Sequence, residues 1–168
     1  MNTMINVILN IYDALISNGC AENDVEEMID MAILDLLQEF CQKELNLTGY
    51  YGVDIEDNHS HAAGWFQPLF GNRISVTESY TRYVKAIKEQ HYELLRDYIR
   101  TMLHEFRHAW QFNGGMEWPT DYTNGTNNDM DVYFNQPIEV DARDWSIRFE
   151  DKAHQYIIER LLDKLIED

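Results

Sequence analysis

The sequence is short of basic residues, cysteine and long apolar runs, and each shortage excludes something. Only 13 Lys and Arg stand against 30 Asp and Glu among 168 residues, for a formal net charge of −17. Such a chain repels a phosphate backbone unless its few cations gather on one face, so nucleic acid is not an expected partner. The imbalance is concentrated early, because up to Ser60 the single basic residue is Lys43. That acidic first third reads as a solvated surface, with a cationic protein partner as the alternative. No stretch approaches the roughly 18 consecutive apolar residues that a membrane-spanning helix needs, and no membrane partner is expected. The opening MNTMINVILNIYDALI has no basic start, is interrupted by Asn6 and Asn10, and shows no small-residue cleavage site, so it is not read as a secretory signal. Cys20 and Cys41 stand apart and outside any CxxC pair, which gives neither a disulfide scaffold nor a thiolate zinc site. They are expected to be reduced thiols of a cytoplasmic protein.

What the chain has is apolar periodicity, with 45% hydrophobic residues, enough for one domain over residues 1–168. Met4, Val7, Ile8, Ile11, Leu15 and Ile16 mark one helical face, and SNGCAEND ends it. A second helix is expected from Asn23 or Asp24 to about Leu45, on the stripe Met28, Met31, Leu34, Leu37 and Phe40 or Cys41. These helices form an N-terminal part, 1–47. Residues 48–78 are rich in glycine and aromatics, and predict a small sheet with strands near Trp65–Leu69 and Arg73–Val76 joined around Gly71 and Asn72. From Thr77 to Gly114 neither Gly nor Pro interrupts a helical pattern too long for one globular helix, so a break is expected near Gln90. The turn-rich segment that follows is long enough to suggest function. A last pair of helices is expected from near Gln136 to the end, completing a helical core over 79–168. The fold class is therefore α+β and mostly helical.

The chemistry lies in TMLHEFRHAWQ, residues 101–111. Positions four apart share a helix face, so His104 and His108 can aim their imidazoles at one point, as two neighbouring zinc ligands must. Glu105 sits about 100° around the helix, too far to join them as a ligand but within reach of a water on the metal, which makes it the natural general base. Zinc lowers the pKa of such a water to roughly 7. With 6 His in 168 residues, an accidental H-E-x-x-H is expected in about 2% of such sequences.

A catalytic zinc commonly takes three protein ligands. In NQPIEVDARDW, Asn135 or Gln136 is near a helix cap, Pro137 is in the first turn, and Glu139 is about one turn inside. Ala142 and Ser146 are small enough to let that helix approach the histidines. Glu139 is thus the candidate third ligand, with Asp141 as rival on another face. A capping glutamate, or an i,i+4 partner of Arg143, is the structural alternative.

HEFRHAWQ followed by QPIEVDA resembles the minimal zincin metallopeptidases of the gluzincin type, and in style the ImmA/IrrE-like and SprT-like domains and uncharacterised phage and bacterial relatives with a P-x-E-x-D-A segment. The resemblance covers roughly Ala62 to Phe149. It implies a zincin-like fold with a small sheet ahead of the active-site helix, Zn2+ on His104, His108 and Glu139, and Glu105 as base. There is no HExxHxxGxxH extension, which departs from metzincins, and no Cys-rich ribbon of the kind that often accompanies DNA-associated SprT-like proteins.

Tyr122 and Tyr133 are candidates to hydrogen-bond a developing oxyanion, with Tyr133 favoured for its place nearer Glu139. Arg107 and Arg143 can grip a substrate carboxylate, but solvated charge or pairing with acids is the expected use of each. His59 and His61 are read as part of a surface turn beside DIEDN, His91 as a helix junction and His154 as a surface residue. The expected function is a zinc-dependent hydrolase, a metallopeptidase acting on a protein or peptide substrate. The alternative is a regulatory zinc-containing interaction module of antirepressor or phage host-interaction type.

Overall fold

A computed structural model describes residues 1–49, 51–56, 63–67, 72–122 and 130–167. It is mostly helical, with one three-stranded sheet. Helix α1 spans Asn2–Ser17 and α2 Glu22–Glu44. Met4 and Ile8 of α1 are fully buried, as its stripe requires. On α2 the expected stripe holds for Leu34, Leu37 and Phe40 but not for its start: Met28 and Met31 are exposed, and Val25, Ile29 and Ile33, four apart on the neighbouring face, are the residues fully buried there. Cys20 is exposed, Cys41 is buried, and both are free thiols.

The sheet contains β1 (Val53–Glu56), β2 (Gly64–Gln67) and β3 (Arg73–Thr77) in the order β1-β3-β2. Strand β3 pairs antiparallel with β2, Gly64 opposite Val76, and parallel with β1, Val53 opposite Ile74. The expected β2–β3 pair is present. Of the expected turn around Gly71 and Asn72, Asn72 takes a left-handed φ of 57°; Gly71 lies outside the described residues, as do Pro68 and Leu69 at the expected strand end, and His59 and His61. Strand β1 is a correction to the two-strand expectation. Its acids are absorbed by β3: Arg73 pairs with Asp54, and Ser75 Oγ donates to Glu56 Oε1 at 2.8 Å.

After a 3-10 turn at Glu78–Tyr80 come α3 (Tyr83–Lys88) and α4 (Tyr92–Trp110). They are parted at Gln90, whose φ of 59° is left-handed, and His91 is the N-cap residue of α4. Past Trp110 the helix widens into a π turn over Gln111–Gly115, and Gly114, at φ 97°, takes the chain out of it. The short α5 (Met130–Phe134) precedes α6 (Pro137–Glu167).

Two expectations fail on α6. It is one helix of 31 residues and not a pair. No Gly or Pro follows Pro137, and Ile138, Ala142, Trp145, Ala153, Ile157 and Leu161 keep one continuous buried stripe. His154 is also not on the surface. It falls beside Ala153 and Ile157 on that stripe and is 3% exposed. No helix among the described residues is long and apolar enough to cross a membrane.

Candidate metal centre

Helix α4 packs between the sheet and α6. Its approach to the sheet depends on Gly64, where a Cβ would stand 2.9 Å from Thr101 Cγ2 and 3.1 Å from Glu105 Cγ. Its approach to α6 depends on small residues, as Ala142 and Ser146 are buried there. The first turn of α6 is thereby laid against the turn of α4 that carries the two histidines.

Three donor atoms converge. His104 Nε2 and His108 Nε2 are 2.9 Å apart, with their rings close to perpendicular. Glu139 Oε2 is 3.2 Å from His104 Nε2, and Oε1 is 3.3 Å from His108 Nε2. Ligands held at roughly 2.0–2.1 Å around a tetrahedral ion stand about 3.3 Å from one another, so the spacing and the two-nitrogen, one-oxygen set fit zinc. Without a cation, lone pairs at these distances repel unless protons sit between them. His108 and Glu139 are buried, and His104 keeps the more open side.

The electrostatics follow from this packing. Burial pushes the Glu139 carboxyl up, but hydrogen bonds from His104 and His108 outweigh it and hold the group well below the carboxylate range. Burial pushes His108 down, yet Glu139 and Glu105 bring it above its ordinary value. Glu105 lies on the strand side of α4, 7% exposed, and accepts a hydrogen bond from the Phe66 backbone N–H. Burial raises its pKa, and the nearby histidines offset this only in part.

Both candidate tyrosines reach the centre. The Tyr122 hydroxyl donates to Glu139 Oε1 at 3.0 Å. Tyr133 is hydrogen-bonded with Glu139 and Tyr122, and burial, followed by the Glu139 charge, pushes both phenols up. Trp118 lies edge-on to His108, with ring centroids 6.1 Å apart, and also touches Phe112 and Tyr122.

Asp141, the rival ligand, is turned away. Arg107 Nε donates to its Oδ2 at 2.7 Å and Nη2 to its Oδ1 at 3.1 Å. Arg143 donates to the Phe134 carbonyl rather than pairing with Glu139. Residue-by-residue reading passed over Gln111 and Trp118. The signal for Gln111 was its place at i+3 from His108, on the same helix face; nothing in the sequence singles out Trp118.

The chain matches no protein-family model, no curated protein and no solved structure.

Proposed function

We propose that this protein is a zinc-dependent hydrolase of the metallopeptidase kind, acting in the cytoplasm on a protein or peptide substrate. The observation that carries the reading is the convergence of His104, His108 and Glu139 beside a buried carboxylate that is not one of the three. The resemblance of HEFRHAWQ and QPIEVDA to gluzincins supports it further. The trio would hold the ion, which supplies Lewis acidity to a water molecule and to the substrate carbonyl.

The chain's own residues do the proton work. Glu105 takes a proton as the water oxygen bonds to the carbonyl carbon, then passes it to the amide nitrogen as the C–N bond breaks. Its raised pKa suits a group that must first accept and then return a proton. Tyr122 and Tyr133, both hydrogen-bonded with Glu139, bring hydroxyl donors to the trio, and these would stabilise charge on the carbonyl oxygen.

The test begins with metal analysis of protein purified without added zinc, repeated on His104→Ala and His108→Ala. About one zinc per chain is expected for the parent and a large loss in both variants. Turnover of a peptide library by Glu105→Gln should fall by roughly 10²–10⁴-fold with zinc content unchanged. Undiminished cleavage by that variant removes Glu105 as base, and a zinc-free parent removes the metal reading.

A further inference from the structure

The geometry points to Gln111 as the positioning residue that fixes the tautomer of His108, and through it the availability of one donor of the trio. This rests on the metal reading for its purpose, but the tautomer itself does not. Gln111 is fully buried at the start of the π turn, and every polar atom of its side chain has a partner. Its Nε2 donates to the Ile138 carbonyl at 2.9 Å and to Asp141 Oδ2 at 2.8 Å. Neither acceptor has a proton to give in return, because one is a carbonyl and the other a carboxylate held in charged form by two hydrogen bonds from Arg107.

A flipped amide would set its oxygen against both of these oxygens, so the orientation is determined by chemistry. The Oε1 atom then faces His108 Nδ1 at 2.8 Å and can only accept. A neutral His108 must therefore carry its proton on Nδ1, which leaves the Nε2 lone pair directed at His104 and Glu139. Arg107 stacks on the Trp110 ring, 3.7 Å from its centroid, and stiffens the chain of contacts from behind. Outer partners of metal-bound histidines set tautomer and ring orientation in just this way, and their loss typically weakens metal binding by 10–100-fold.

Two measurements test the assignment. Long-range ¹H–¹⁵N correlation spectra of the metal-free protein should show a proton on His108 Nδ1, whether the ring is neutral or also shares a proton with Glu139 at Nε2. A ring protonated on Nε2 alone overturns the inference, whatever the protein binds. The near-isosteric Gln111→Met, which has no acceptor oxygen, should bind cobalt(II) about 10–100-fold more weakly in a chelator competition and show mixed His108 tautomers. Unchanged affinity in a folded Gln111→Met overturns it as well. If Gln111→Met does not fold, the parent's tautomer decides. If the parent binds no divalent ion, the metal reading fails while the spectrum still settles the role of Gln111.

Discussion

Glu139 Oε2 stands 3.2 Å from His104 Nε2, and the Glu139 side chain, at 1% exposure, is far the more deeply buried of the two. A carboxylate this enclosed keeps its charge because both imidazoles face it, against the pull of burial. Glu139→Gln preserves shape and removes that charge. Because it alters a donor and not an outer partner, its loss of zinc affinity should exceed the roughly 10–100-fold of outer-partner changes. Competition against a chromophoric chelator measures this, and parental affinity in Glu139→Gln takes the residue out of the site.

The route from sequence to this site was partly open. The stripe of α1, the interruption at Gln90 and the four-residue spacing of His104 and His108 are local properties, and local periodicity reports them, whereas the first half of α2 offers two apolar faces and packing chooses Val25, Ile29 and Ile33 over Met28 and Met31. Strand β1 is different: Val53–Glu56 carries two acids and reads as turn-like, and it becomes a strand because distant β3 presents Arg73 and Ser75 to take them. His154 was misplaced for the opposite reason, since its polarity outweighed a position on the apolar stripe of α6. Gln111 was missed because its role exists only once Ile138 and Asp141 are brought across from the other helix.

Gly64 should be intolerant of any side chain. Its Cβ would lie 2.9 Å from Thr101 Cγ2, 3.1 Å from Glu105 Cγ and 3.2 Å from the Ser75 carbonyl. Thr101 is β-branched and cannot swing clear, so β2 must lift from α4. Gly64→Ala should cost about 1–3 kcal/mol of stability by overpacking. Turnover should fall further than stability, because β2 also brings the Phe66 N–H to Glu105. Denaturant midpoints and peptide cleavage check both parts, and an alanine variant equal to the parent shows that the approach has slack.

His154 offers a stabilising substitution. Neither ring nitrogen has a hydrogen-bond partner among the described residues, and the nearest acids, Glu150 and Asp151, are 4.0 and 3.9 Å away. Glu150 is already engaged by Arg96 and Arg100. Burial lowers the ring's pKa. For a histidine shifted this way, stability is fully present above the unfolded value of about 6.5 and is lost as pH falls through the lower folded value. His154→Leu should gain on the order of 1 kcal/mol near neutrality, and its advantage should widen on acidification. Thermal melts across that range test it, and a variant less stable than the parent at every pH means that the ring has a partner in solution.

Asp30 predicts the opposite pH dependence. Its Oδ1 accepts the Val84 N–H at 2.8 Å, so a side chain of α2 caps the first turn of α3. Burial drives its pKa up to about 7; the Val84 N–H opposes this, and the neighbouring Glu26 charge adds to it. The folded value thus lies above the unfolded one of about 3.9, so the contribution of Asp30 is full below that pH and is lost as pH rises through about 7. Asp30→Asn keeps an oxygen for the Val84 N–H and has nothing to ionise. The variant should match the parent at about pH 3.5, below the unfolded value, and melt several degrees higher at about pH 8, where the parent must hold a half-enclosed carboxylate. Melting curves at the two pH values decide it: a gap that stays constant between them means that Asp30 is ionised throughout, its charge stabilised by the helix end it caps.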